Sequence, residues 1–449
     1  MKIVLRKIII IFLFFLLLPA YCKDEQALDL NKRISYVNLD FWQNFDDEYL
    51  ICYILEALKN NHKAKSALYK SEQFRYNIRL SLANQLPTLS VAANYLGLKV
   101  PMLDNFAVRK NGFILPFEFN YEADLLLKNA DKTKSQKKLY KAQLYDEKSV
   151  YIMLASDVAT TYINILKFDK TLELQEKIVQ NKKEILNRVQ KRYNCGTISK
   201  TELNEAKKEL NDENQELESI KKEQKLLLNY LALLCSRSAY NVDDFKRGEF
   251  DDFAKNLVLP DEISSDLIFN RPDVLSSFEK LKSAKIDITV AKKDFFPTFN
   301  IKGLYAFNTL GPGNFFSWGA TLATLVAGAT QGIFEGGRKV ANLKFKKAYY
   351  SELLENFLHT NLSAIKEVND ALYQTKYDLK ILSEANEKYL AQKNNFELEK
   401  SRLINGVSDY PSYLEQFNQT LFEQQNYTEK KTQKFLDAIS LYKSVGGAL

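Results

Sequence analysis

The sequence predicts a mainly α-helical chain that carries four membrane-type β-strands, and three observations lead there. Two stretches, 117–195 and 339–405, contain neither Gly nor Pro, and helices of that length have no place in an ordinary globular core. Segments between them alternate apolar and polar side chains with a period of two. The chain also matches itself when shifted by 210 positions: Pro87 falls on Pro297, Tyr95 on Tyr305, Lys128 on Arg338, Val158 on Val368, Arg192 on Arg402 and Gly196 on Gly406. With only 9 Pro and 15 Gly in 449 residues, agreement at breaker positions marks a tandem duplication.

The chain opens with Lys2, Arg6 and Lys7 ahead of an apolar run from Ile8 to Leu18, which is too short to span a bilayer and suits a secretory signal peptide over 1–22. The mature chain is therefore expected to be exported. Cys22 stands where a bacterial lipoprotein carries its acylated cysteine, while Ala20 offers the small residue for simple cleavage nearby; both outcomes stay open. Cys52, Cys195 and Cys235 are an odd number at wide spacing, which is not a disulfide framework.

The first copy is expected over 39–236, a linker over 237–261 and the second copy over 262–446. Each copy reads as a helix, a proline, a strand hairpin (about 86–126 and 297–335) and a helical hairpin (about 127–235 and 336–443). In "FILPFEFNYEADL", Phe113, Leu115, Phe117, Phe119, Tyr121, Ala123 and Leu125 share one face, opposite Ile114, Pro116, Glu118, Asn120, Glu122 and Asp124. Leu89, Val91 and Tyr95, and in the second copy Phe299, Ile301, Tyr305 and Phe307, repeat the pattern; the partner strand near "SWGATLATLVAGATQGIF" alternates poorly. An open four-stranded sheet in lipid would leave unpaired edges in hydrocarbon, so several chains must close one barrel together. A small soluble sheet packed on the helices is the competing reading of the same pattern.

In the first long helix Leu172, Val179, Leu186 and Tyr193 recur at intervals of seven, with Ile178 and Ile185 beside them, which predicts coiled-coil packing. "RYNCGTIS" and "RLINGVSD" interrupt the two helices, and Gly196 and Gly406 suit the left-handed position that ends a helix before the chain turns back.

Composition excludes several classes. The 63 basic and 56 acidic residues are interspersed along the same helices, so the net charge of +7 does not make a nucleic-acid surface. Only two histidines, His62 and His359, are present, and no serine elbow, phosphate loop or acid–base pair stands out. No enzyme activity, metal or cofactor is expected.

From about Phe41 to the C-terminus the chain resembles the TolC-like outer-membrane efflux factors, in the branch that serves resistance-nodulation-division pumps. The resemblance rests on "FWQNFDDEYL", on "LPDEISSDLIFNRPDVLSSFEKLKSAKIDITVAKKDFFPTF", on the corner "IFEGGRKVANL", on "KEVNDAL" and on the terminal "LYKSVGG". It implies a homotrimer whose chains each give four strands to one twelve-stranded barrel in outer-membrane lipid, with the helices forming a coiled-coil tunnel across the periplasm. It also implies a periplasmic adaptor and an inner-membrane pump as partners, and a passive conduit for small molecules. By motif position the adaptor would meet Cys195, Gly196 and Thr197 and Asn405, Gly406 and Val407, and Glu202 and Glu415 would ring the periplasmic constriction. Copy one departs from the corner motif, with Leu125-Leu126-Leu127-Lys128 where copy two has Glu335-Gly336-Gly337-Arg338, and Pro411 after the second tip is unusual. A type I protein-secretion duct shares this architecture, and a non-inserting periplasmic coiled-coil scaffold is the alternative from another class.

Overall fold

The 210-residue shift is written into the element boundaries. The computed structural model describes residues 33–103, 106–238, 242, 244–254, 257, 260, 263–309 and 315–449; the expected signal peptide and Cys22 lie outside them. The first copy contains α1 (Leu39–Gln43), α2 (Glu48–Asn60), α3 (His62–Ala83), β1 (Thr88–Val91), β2 (Asn94–Leu103), β3 (Phe106–Ala123), α4 (Lys128–Asn194) and α5 (Lys200–Leu234). The second contains α6 (Ser265–Phe269), α7 (Pro272–Lys293), β4 (Thr298–Asn308), β5 (Thr321–Thr330), α8 (Arg338–Ile404) and α9 (Tyr410–Ser444). α3 and α7, α4 and α8, and α5 and α9 start and stop at positions related by that one shift.

Local chemistry sets these boundaries. Asn61 caps α3 by accepting from the Lys63 and Ala64 amides, and Ser199 with Glu202 forms a capping box on α5. Asp409 accepts from the Ser412 amide at the start of α9, where Pro411 sits just inside the helix and loses nothing by lacking an N–H. α4 and α8 are 67 residues each, or about 100 Å of helix.

The sheet runs β1-β3-β4-β5, all antiparallel, with β2 continuing β1 along β3. Its register obeys the duplication: Thr88 faces Asn120 in the first hairpin and Thr298 faces Thr330 in the second. The β3–β4 ladder joins the two copies, with Phe117 opposite Tyr305 and Tyr121 opposite Ile301. β3 ends at Ala123, two residues earlier than the alternation predicts, because the Asp124 carboxylate turns to accept from the Ala130 amide at the start of α4.

The apolar core lies at mid-height of the helices, not beneath the sheet. Trp42, Phe45, Leu50 and Ile54 pack on Tyr151, Tyr162 and Ile163 of α4 and on Phe435 and Tyr442 of α9. Phe245, Phe250 and Phe253, in the segment between the copies, complete it, so the expected linker is part of the core. Among the described residues one helix, α4, contains an 18-residue window apolar enough to cross a membrane, and 67% of that window is buried. That window is the core stripe.

The coiled-coil seam keeps part of the predicted pattern, burying Val179 of the heptad and Ile178 beside it. Leu174 and Ile178 pack on Leu421, flanked by Phe417, whereas Leu172, Leu186 and Tyr193 are only half-buried at the margin. Gln175, Asn181 and Lys182 are buried between them, so hydrogen bonds and ion pairs supply contacts that a regular apolar repeat would have made.

Candidate functional site

Two features invite a function: a two-faced sheet at one end and two hairpin tips at the other. Because side chains alternate and the register is fixed, Leu89, Phe117, Tyr305 and Ala323 lie on one face and Ser90, Glu118, Asn120 and Lys302 on the other. The first face is aromatic: Tyr95 meets Phe113 edge-on with centroids 5.1 Å apart, and Phe117 meets Phe307 at 6.4 Å. On the second face Asn120 stands opposite Lys302 and Glu122 opposite Asn300. Among the described residues no α-helix packs along either face, and β1–β2 and β5 end the sheet without partner strands. β5, whose alternation was weak, adds small residues (Ala323, Ala327, Ala329) and Leu325 to the apolar face.

At the strand-to-helix corners the two copies solve the same turn differently. Gly336 and Gly337 take positive φ in the second copy; in the first, Leu127 is held at φ 55°, a conformation unfavourable for a residue with a Cβ. The departure from the corner motif is thus a strained version of the same bend.

Three motifs singled out in the sequence converge at mid-height. The buried Arg271 guanidinium donates to the Ser444 carbonyl (2.6 Å), to Asp273 (2.7 Å) and to Glu367 (2.7 Å), fastening "NRPDV", "KEVNDAL" and "LYKSVGG" together. Burial opposes its charge, but the bonds to Asp273 and Glu367 outweigh that and raise its pKa. Gly446, at φ 68°, leaves no room for a side chain, since a Cβ there would come within 2.7 Å of Pro272. In the first copy Asn61 does the equivalent work, donating to the Leu234 carbonyl at 2.8 Å. These motifs are therefore a structural pin.

The tips are open and small. Cys195, Gly196, Thr197, Asn405, Gly406 and Val407 are all exposed. Gly196 and Gly406 adopt φ 72° and 71°, and the next amide returns to the carbonyl of Arg192 or Arg402 at 3.0 and 2.9 Å. Glu202 is exposed and occupied with Ser199, 3.3 Å from its amide. Glu415 instead accepts from Lys182 of α4 at 2.9 Å, and Lys182 also donates to Glu209 at 3.0 Å. Lys182 is buried, which works against its charge, yet the two carboxylates more than compensate and raise its pKa. Asn181 to Asn418 (2.7 Å) and Tyr410 to Glu184 (2.9 Å) continue this polar tie between the hairpins. Sequence spacing had no means of finding Lys182 as the partner of Glu415, because the pair spans both copies.

Among the described residues no group of three or more His, Cys, Asp or Glu is arranged to hold a metal ion. The sequence pattern of the outer membrane efflux protein family matches residues 53–235 and 263–447, once in each copy. The chain belongs to the outer membrane efflux protein family. Its relatives include the probable outer membrane lipoprotein SilC of Salmonella typhimurium, 23% identical over 96% of this chain and 93% of that one. The cation efflux system protein CusC of Escherichia coli K12 is 23% identical over 93% and 91%, and the outer membrane protein OprJ of Pseudomonas aeruginosa 24% over 87% and 82%. The fold matches the Campylobacter jejuni CmeC outer membrane channel with a TM-score of 0.84 at 23% identity, covering 92% of this chain and 89% of that one. The resemblance read from the motifs is borne out, and the protein is an outer-membrane one.

Proposed function

We propose that this chain is the outer-membrane channel of a tripartite efflux pump: a passive conduit, closed by three copies into a twelve-stranded barrel, through which small molecules leave the periplasm. The observation that carries this reading is the bare sheet. An aromatic face, a polar face, no α-helix along either among the described residues and two open edges together suit a barrel wall with lipid outside and water inside. Helices of about 100 Å then continue the lumen inward. Relatives named for cation, solvent and toluene efflux support a small-molecule cargo.

The tips, exposed and short, suit docking of a periplasmic adaptor, which in turn would link an inner-membrane pump. Of the two glutamates expected at the constriction, Glu202 offers its charge to a lumen, whereas Glu415 has its charge countered by Lys182. A lipid anchor at Cys22 is consistent with reach. Arg33 is held by Glu147 at 3.1 Å, and Glu147 lies nineteen residues along α4 from Lys128, about 28 Å of helix. The eleven residues from Cys22 to Arg33 span up to about 40 Å, enough for an acylated Cys22 to reach the level of the strand-to-helix corner.

The test is recording in planar bilayers. Stepwise conductance and retention in membranes through a high-salt wash are expected, with Glu202→Gln lowering cation selectivity; absence of conductance together with release by salt would identify the scaffold instead. Val407→Glu, chosen because Gly406 tolerates no side chain without strain, is expected to weaken capture of the adaptor while leaving the oligomer intact; undiminished capture would remove the tips from that role.

A further inference from the structure

We infer that the helical wall carries, at mid-height, a binding site for an amphipathic organic cation: a cavity of about 700 Å³ with an apolar floor and a rim of three carboxylates, Asp273, Glu367 and Asp370. This rests on the conduit reading, because the face on which the cavity opens is taken to be the lumen. The cavity has a simple origin. α7 begins at Pro272 and α9 ends at Ser444, so two shorter helices meet end to end between the long α4 and α8. Helix ends do not interdigitate as helix flanks do, and a gap remains on one side of the junction.

α4 fixes which side that is. Its Tyr151, Ala155, Val158 and Tyr162 belong to the core shared with α1, α2 and the segment between the copies. Met153 and Thr160, which line the cavity, stand two residues from Tyr151 and Tyr162, or about 200° round the helix. The cavity therefore opens away from that added layer. With α4, α8 and two shorter helices at each level, three chains make a ring of about twelve helices around a bore of roughly 13 Å radius, which a further helical layer about 10 Å thick would fill. In a conducting ring the layer lies outside and the cavity faces the lumen.

The lining selects the ligand. Ile152, Met153, Leu436 and Ile439 supply the apolar floor, and Met153, half of it exposed, adapts to apolar bodies of varied shape. The charge above the floor is unbalanced. Arg271 and Lys443 face Asp273, Glu367 and Asp370, and Arg271 lies buried beneath the rim, where one guanidinium serves both Asp273 and Glu367 at 2.7 Å while each of those carboxylates stays about half exposed. Lys443 is turned toward Asp157 at 4.0 Å, and Asp370 pairs with the exposed Lys366. With those two neighbours counted, three cations still meet four carboxylates. Glu367 Oε1 and Asp370 Oδ1 accept from no described residue. An anion would meet the rim carboxylates, and a small hydrated cation would leave the floor unused; an apolar body bearing a positive charge satisfies both, and the volume suits one of drug size.

The test is block of the current through the full-length protein in planar bilayers, with tetraphenylphosphonium as the probe and tetraphenylborate, an anion of the same shape, as its control. The cation is expected to reduce the current in a concentration-dependent way and the anion to leave it unchanged. Met153→Trp, which fills the floor, and Asp370→Asn, which removes one rim charge without touching Arg271, are each expected to raise the half-blocking concentration by about tenfold. The block is expected to persist in Glu202→Gln. A block that disappears in Glu202→Gln and ignores both Met153→Trp and Asp370→Asn belongs to the constriction and overturns the site. A conducting channel that the cation does not block, or that both ions block equally, overturns the site and leaves the conduit standing. A chain that does not conduct overturns both.

Discussion

α4 and α8 have the same length, the same place in their repeats and opposite surroundings. α4 meets α3, α5, α7 and α9 within its own chain and buries twenty-five residues, among them Tyr151, Val158, Tyr162 and Ile163. α8 meets chiefly α7 and α9 and buries five, Ala364, Val368, Ala371, Thr375 and Ala385. Its exposed face carries Leu358, Leu362, Ile365, Tyr373, Tyr377 and Ile381, more contiguous apolar surface than a monomeric soluble helix displays. The difference teaches that burial here follows what each helix packs against and not its place within the repeat: α4 is covered by helices of both copies, α8 chiefly by helices of its own.

Paired substitutions at equivalent positions break or sharpen that contrast. The largest expected effect is at Ile163, fully buried in α4: Ile163→Ala should cost the folded chain about 2–5 kcal/mol in chemical denaturation. Its counterpart, Tyr373, is 61% exposed, and Tyr373→Ala should cost the separated chain no more than about 0.5 kcal/mol while loosening the oligomer on a native gel. Equal losses in the separated chain would erase the distinction between the helices.

A second contrast is charged. Where copy one has Phe168 and Leu227, copy two has Asp378 on α8 and the buried Asp437 on α9. Burial raises Asp437 to about 6, the Gln433 hydrogen bond opposing and the Asp378 carboxyl adding to the shift. The folded state therefore holds this proton more tightly than the unfolded chain, and the contribution is present at low pH and lost as pH rises through that value. Asp437→Asn should raise the melting temperature at pH 7.5, by at most roughly 3 kcal/mol of stability, and show little gain near pH 4. A gain independent of pH would mean the carboxylate is not the source.

The smallest effect is at the corners. Leu127→Gly removes a Cβ from a left-handed residue where copy two already has Gly337, and should stabilise by about 1 kcal/mol or less once the greater freedom of unfolded glycine is subtracted. Destabilisation would show that the exposed Leu127 side chain supplies more than the backbone loses.

How much of this was legible in sequence depended on the range of the interaction. Alternation in Phe113–Ala123 and the glycines of the tips are local signals, and both strand and turn were readable. The end of β3 was misplaced by two residues because Asp124 has a better partner in the helix that follows than in the sheet. The polar seam was not readable: Lys182 with Glu415, and Asn181 with Asn418, are brought together only after both copies have folded. A heptad count registers apolar residues and passes over such pairs. Arg271 was visible as part of a motif, but its grip on Ser444 and Glu367 required the helices in place.

Each repeat contributes an up strand and a down strand, so rings of single repeats would close with every neighbour antiparallel and every seam alike. Joining two repeats in one gene releases that identity. The seam between the copies is covalently guaranteed and ionic, with Lys138, Glu279, Asp146 and Lys280, whereas the equivalent surfaces of α3 and α8 keep Tyr69 and Phe345 exposed.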